Sequence, residues 1–273
     1  MAPSEQYLLG HAAQEEARLN RQTASLALDS DAQLDKIGIS AGENVIDLGC
    51  GPGGVLDLLG KRVGPTGHVL GIEHDARFAE LARRFVADQA LPQVEVREGD
   101  AYATGLPRRS FDGAHMRLVL VNVPEPERIV REMVSLVRPG GWVASFEPDF
   151  LAHGCDPPLP AFERLQRTYA NFAVTQGIDL SVGRRTHRLF RDAGVVGIHV
   201  DAVVYVYPVG HDRRPVLRDF INNVQQKLID GGFITRTDLE RDLAALESHL
   251  ANSETLVTGA IFYRLIGRVS LKR

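Results

Sequence analysis

The sequence predicts an α/β fold in which a mostly parallel sheet carries helices on both of its faces. Three observations predict it. Short β-branched runs alternate with longer helical patterns from residue 44 to residue 206, the order that a parallel sheet with crossover helices requires. A glycine-rich turn joins the first of those runs directly to a helical pattern. At 273 residues the chain is also long enough to bury a full core beneath such a sheet.

A helical pattern over residues 12–28 comes first and carries Glu15, Glu16, Arg18, Arg21 and Gln22. It reads either as an amphipathic packing helix or as a lid over a ligand. Strands are expected at Asn44–Leu48, His68–Glu73, Val94–Glu98 and Phe111–Arg117, then at residues 142–147 and 197–207. Asp75 is placed to cap a helix over residues 76–90, because its carboxylate can accept from the first free N–H groups. Pro139-Gly140-Gly141 is expected to end a helix over residues 125–137, since proline cannot continue a helix and glycine takes the left-handed turn after one. The last third breaks this rhythm, with helical patterns at residues 159–176, 181–193, 213–230 and 235–251 before a β-rich tail at 256–269. Strands so close together in sequence suggest an antiparallel edge. The proline patch Asp156-Pro157-Pro158-Leu159-Pro160 reads as the start of an inserted helix. With no internal repeat and no linker-like run, residues 1–273 read as one domain: a helical lid (1–40), a ligand-binding core (41–150), and an insertion with C-terminal strands (151–273).

Composition removes several function classes. A net charge of -4 with mixed signs and 44% hydrophobic residues describes an ordinary globular chain and disfavours a general nucleic-acid binder. Cys50 and Cys155 are the two cysteines, too few for a disulfide framework or a zinc cluster. No basic segment followed by an apolar run opens the sequence and no stretch has the length of a membrane span, so a cytoplasmic protein is expected.

The segment Val45-Ile46-Asp47-Leu48-Gly49-Cys50-Gly51-Pro52-Gly53-Gly54 runs from strand to helix through glycines, which let a backbone approach a ligand closely. Gly49, Gly51 and Gly54 satisfy G-x-G-x-x-G, and Glu73 ends the second strand where an acid would hold ribose hydroxyls. An NAD-dependent oxidoreductase is therefore the natural rival. Asp47 argues against it: a carboxylate two residues before the first glycine would repel a pyrophosphate and favour an ammonium or a sulfonium. After the third strand, Glu98-Gly99-Asp100-Ala101 offers a carboxylate to an adenine amine and a backbone N–H to a ring nitrogen.

Asp47 through Gly53, then Glu73, then Asp100, then Leu136-Val137-Arg138-Pro139-Gly140-Gly141, together resemble the motif series of class I S-adenosylmethionine-dependent methyltransferases, over roughly residues 40–150. The resemblance implies a Rossmann-like, seven-stranded sheet with an antiparallel last strand and S-adenosylmethionine across the carboxyl ends of its strands. On that pattern Gly49, Cys50, Gly51 and Gly53 line the methionine portion, Glu73 takes the ribose diol, Asp100 and Ala101 the adenine, and His74 lies against the adenosine. Residues 110–120 are similar to the fourth-strand segment of the small-molecule branch that includes ubiquinone and menaquinone methyltransferases, which puts Arg117 beside the methionine moiety. Tyr7-Leu8-Leu9-Gly10 with Arg18 and Gln22 is similar to the N-terminal lid of bacterial small-molecule methyltransferases, implying that Tyr7, Arg18 and Gln22 reach the cofactor carboxylate.

The expected acceptor is a small molecule held between the N-terminal helix and residues 150–191, with no metal. His153, just past the fifth strand, is the candidate base, although an idle loop histidine is the plainer reading. Phe150, Tyr169, Phe172 and Tyr205 are candidates for an aromatic acceptor wall, although plain core is the more usual reading of the last three. Arg184, Arg185, Arg188 and Arg191 read as a solvated helix face or as a seat for a phosphorylated acceptor. Methylation at O, N or C, a cofactor-binding protein that drives a rearrangement, decarboxylation or cyclisation instead, methylation of RNA or protein, and monomer or homodimer all stay open.

Overall fold

The computed structural model of the chain describes residues 13–271. Tyr7 and the side chain of Arg18 lie outside the described residues. After helix α1 (Ala13–Ile37) come β1 (Asn44–Leu48), α2 (Leu56–Val63), β2 (His68–Glu73), α3 (Ala76–Asp88), β3 (Val94–Glu98) and β4 (Phe111–Arg117). Then follow α4 (Pro126–Leu136), β5 (Val137–Asp149), β6 (Gly154–Asp156), α5 (Pro160–Thr175), α6 (Thr186–Asp192), β7 (Val195–Val206), α7 (Val216–Asp230), α8 (Arg236–Ala251) and β8 (Leu256–Val269).

The strands pair in the lateral order β3-β2-β1-β4-β5-β8, the first five parallel and β8 antiparallel to β5. β7 pairs antiparallel with the other edge of β8. The short β6 pairs with Leu256 to Thr258 on the edge that β5 occupies further along, so it extends the line of β5 and the sheet is seven strands wide. Covered on both faces, β1 reads as a nearly continuous buried run. One apolar cluster lies under the end of α1 with α2 and α3, around Leu34, Leu56, Leu59, Ala82 and Trp142. The other lies under α4 to α8, around Met116, Met133, Phe146, Phe190 and Phe262. Among the described residues no helix is long and apolar enough to cross a membrane.

Local chemistry explains most boundaries. Asp75 caps α3 as expected, accepting from the N–H groups of Arg77 and Phe78. Pro126 opens α4, where a missing N–H costs nothing, and Ile129, Val130, Met133 and Leu136 fall on one buried face.

Three expectations need correction. Pro139-Gly140-Gly141 does not end α4, which stops at Leu136; it lies inside β5, where the β4–β5 register shifts, and a Cβ at Gly141 would stand 2.5 Å from the Asp112 carbonyl oxygen. The glycine pair is a bulge. The first helix continues past residue 28 to Ile37, because its second half packs on the sheet through Leu34 and Ile37. There the Gln33 amide donates to the carbonyls of Ser145 (2.9 Å) and Leu265 (3.1 Å). Residues 181–193 divide into a 3-10 turn, Val182–Arg185, and α6. The β-rich tail lies where it was expected, as one strand over Leu256–Val269.

Candidate active site

The carboxyl ends of β1, β2 and β4 and the chain just past β3 open on a cleft of about 520 Å³, within the range of small-molecule and cofactor sites. The glycine loop forms its floor. Gly49 and Cys50 donate to the Ile72 carbonyl at 2.8 and 3.1 Å, which fastens the loop to the tip of β2. Gly51 has φ +58, and a Cβ there would meet no atom within 4 Å, so open cleft lies directly above it. Gly49 has φ +71, and its Cβ would stand 2.6 Å from Val119 Cγ2. Of the expected glycines, Gly49 and Gly51 line the cleft, whereas Gly53 packs against Phe85 and is not among its walls.

Acidic groups gather at one end. Glu73 accepts from the N–H of Gly51 (2.8 Å) and of Asp75 (3.0 Å). Burial pushes its pKa up, against the pull of those backbone bonds. Asp100 accepts from the Tyr102 N–H at 2.8 Å, and Asp100, Ala101 and His74 all line the cleft. Asp47 is 2% exposed and its Oδ1 lies 2.8 Å from His115 Nδ1. Its carboxylate is thus a held group beneath the loop rather than a bare charge. Cys50 lines the same floor, its thiol pushed up by burial and then by the charges of Asp47 and Glu73.

Arg117, at the tip of β4, reaches toward α1 and donates to Ser30 Oγ (2.9 Å) and Thr23 Oγ1 (3.1 Å). Burial lowers its pKa to about 10, with Asp47 pulling the other way, so it is charged at neutral pH. Its bonds go to hydroxyls, and among the described residues no carboxylate makes an ion pair with it. Gln22, on α1, also lines the cleft.

The far end is apolar. Phe150 follows β5, Tyr169 stands on α5, Leu180 precedes the 3-10 turn and Phe220 stands on α7, and all four are walls. Tyr169 stacks on Phe220 at 5.5 Å and 15°, and Phe150 meets Phe220 edge-on at 5.2 Å. The structure does not bring the other acceptor candidates here. Phe172 sits edge-on to Phe233 within the core, and Tyr205 stacks on Tyr207 while donating to Asp29. His153 packs its ring on Phe150 at 5.6 Å and is not a cleft wall; burial, then the Arg213 charge, lowers its pKa to about 3. The ring is therefore uncharged at neutral pH.

Among the described residues no group of side chains is arranged to hold a metal. Arg184, Arg185 and Arg191 are paired with Asp149, Asp179 and Asp192, which leaves little of the arginine run to seat a phosphate.

Sequence reasoning missed Phe220, His115 and Glu147. Glu147 is fully buried on β5 and accepts from three backbone N–H groups, those of Val119 (2.9 Å), Leu120 (3.0 Å) and Val121 (3.3 Å). Burial raises its pKa to about 7 against those bonds. The signal was present: Glu147 interrupts an apolar run near the end of its strand, as Glu73 does.

Residues 45–141 match the family described as "Methyltransferase domain". An uncharacterized 37.1 kDa protein in transposon TN4556 of Streptomyces fradiae is 37% identical, over 59% of this chain and 46% of that protein. A demethylmenaquinone methyltransferase of Halalkalibacterium halodurans is 27% identical, over 61% of this chain and 73% of that protein. The matched stretch spans about half the length of several of these curated relatives. Among solved structures, Haemonchus contortus phosphoethanolamine N-methyltransferase 2 superposes with a TM-score of 0.55 at 14% identity, covering 89% of this chain and 52% of that one. Residues 45–141 of the chain therefore match a methyltransferase domain, and the fold around them is one shared with a solved methyltransferase.

Proposed function

We propose that the chain transfers a methyl group from S-adenosylmethionine to a small organic acceptor with an apolar, ring-bearing body. The observation that carries this reading is a single cleft with unlike ends, glycine loop and strand-tip acids at one and aromatic rings at the other. The residues fit the cofactor. Open space above Gly51 leaves room for its methionine portion, and the charged Arg117, without a carboxylate of its own among the described residues, suits the methionine carboxylate. Gln22, which also lines the cleft, would serve the same task, with Tyr7 and Arg18 as further candidates. Glu73 would hold the ribose hydroxyls, Asp100 with the Ala101 N–H the adenine, and His74 the adenosine edge. Asp47, fixed by His115, would supply negative potential under the positively charged part.

When bound, S-adenosylmethionine supplies an electrophilic methyl group on a sulfonium. The protein's part is to bind, to orient and to exclude water. Phe150 and Tyr169, with Phe220 and Leu180, would hold the acceptor's body, and the loop after β4 would aim its nucleophile toward the glycine floor. Acceptors named for relatives and neighbours are small: the Haemonchus protein is seen with phosphomonomethylethanolamine and S-adenosylhomocysteine. Two free cysteines suit a reducing, cytoplasmic setting.

Calorimetric titration with S-adenosylmethionine and with NADH tests the cofactor, and incubation with methyl-labelled S-adenosylmethionine and a small-molecule cell extract tests the reaction. Binding of the first cofactor alone and label in a low-mass product are expected. NADH binding without S-adenosylmethionine binding would reverse the reading.

A further inference from the structure

Glu147 is not a wall of the cleft and has no part in the roles assigned above, yet its carboxylate holds residues that are walls. It caps a 3-10 turn, Leu120–Asn122, from a neighbouring strand. The residue before that turn offers no side-chain cap, so without Glu147 three consecutive buried or half-buried N–H groups would lose their acceptor. Around this anchor the chain is bent into an unfavoured shape. Leu118 has φ +60, a left-handed conformation that costs a residue with a Cβ. It is held there from both sides: its N–H donates to the Phe146 carbonyl at 3.0 Å, and its carbonyl accepts from the Asn122 amide at 2.7 Å.

What is held is a wall of the site. Leu118, Val119, Val121, Asn122, Val123 and Pro124 all line the cleft. Val119, whose N–H is one of the three on Glu147, is also the residue whose side chain closes over Gly49. One carboxylate therefore sets both the course of the wall after β4 and its distance from the glycine floor. Burying this charge is costly. The only compensation in contact with it among the described residues is the three N–H groups, since no arginine, lysine or histidine pairs with it.

We propose that Glu147 is a positioning residue for the methyltransferase site, fixing the segment from Leu118 to Pro124 against the glycine loop by accepting from the N–H groups of Val119, Leu120 and Val121. The inference rests on the proposed cofactor site but assigns Glu147 no contact with cofactor or acceptor.

The test uses the full chain, S-adenosylhomocysteine as the probe and amide hydrogen exchange as the local readout. Glu147→Ala should weaken S-adenosylhomocysteine binding at least tenfold and speed exchange in residues 118–124, with exchange in β1, β2 and α5 unchanged. Glu147→Gln keeps an oxygen that Val119 and Leu120 can both use, and should recover affinity to within about threefold of the unmodified chain. Should the alanine variant not fold, Glu147→Asp, whose carboxylate is drawn back by one carbon, should show the same local loss. Unchanged affinity and exchange in the alanine or aspartate variant would overturn the proposal. So would exchange that rises throughout the chain in step with lost affinity, the mark of a merely structural role. Failure of the unmodified chain to bind S-adenosylhomocysteine would instead strike the proposed cofactor site.

Discussion

Gly51→Ala separates the floor of the cleft from the rest of the fold. At φ +58 an alanine is strained, by roughly 1–2 kcal/mol for a left-handed residue with a Cβ. The added methyl meets no protein atom within 4 Å, so no clash is added to that cost. For a chain of this size ~1 kcal/mol moves the melting temperature by about 2–4 °C. The same methyl projects into the space proposed for the methionine portion of the ligand. Affinity for S-adenosylhomocysteine should therefore drop by more than tenfold, about 1.4 kcal/mol or more, while the protein stays folded at 25 °C. Gly113→Ala is the control: its Cβ would lie 1.9 Å from Trp142 Cε2 in the core, an overpacking that costs ~1–3 kcal/mol or more. That variant should lose stability and keep its affinity in the fraction that folds. Thermal melts paired with calorimetric titration read both quantities. If Gly51→Ala bound S-adenosylhomocysteine as tightly as the unmodified chain, the ligand would not run over this floor.

Three further outcomes follow from the same geometry. Glu73→Ala should cost more in cofactor affinity than in stability, by tenfold or more in titration, because its carboxylate stands at the ligand edge on the N–H groups of Gly51 and Asp75. Arg117→Leu should leave the melting temperature within a few degrees and abolish the preference for ligands that carry the methionine carboxylate; equal weakening of adenosine and S-adenosylhomocysteine binding would count against that role. The Glu147 carboxyl, raised to about 7 from an ordinary 4.5, binds its proton more tightly in the folded chain. Its stabilising contribution is complete below about pH 4.5 and is lost as the pH rises through about 7, roughly 3 kcal/mol at the linkage rate of one pH unit per ~1.4 kcal/mol. Urea unfolding at pH 5 and 8 should show a fall of about 2–3 kcal/mol from this group in the unmodified chain, which Glu147→Gln largely removes.

The parts of the site legible in the sequence are those where one residue type answers one local demand. Three of the parallel strands, β1 to β3, announced themselves as short β-branched runs, and β1 to β4 have the expected ends. Glu73 and Asp100 could be read because an acid just past a buried strand has few structural reasons to be there, and Gly51 because only glycine suits its backbone. What escaped depends on distant partners. His115 is fully buried within β4, and only the pairing of β1 with β4 puts it beside Asp47. Phe220 comes from α7, far along the chain, and looks like any core phenylalanine until the fold sets it against Tyr169. The reverse error has the same origin. His153 stands in the expected place along the chain, but its ring turns toward Phe150 and away from the cleft. Pro139-Gly140-Gly141 looked like a helix stop because a bulge and a cap ask for the same residues.

The reversed strand β8 lies between β5 and β7, though it is the last of the three to be made. During synthesis on the ribosome both neighbours must wait with bare edges until residues 256–269 emerge, since neither has another partner on that side. Long-range pairings of this kind form slowly and leave strands open to aggregation in the interval. Nascent chains stalled just short of β8 should therefore be the form that chaperones retain, even though the whole glycine loop has by then left the exit tunnel.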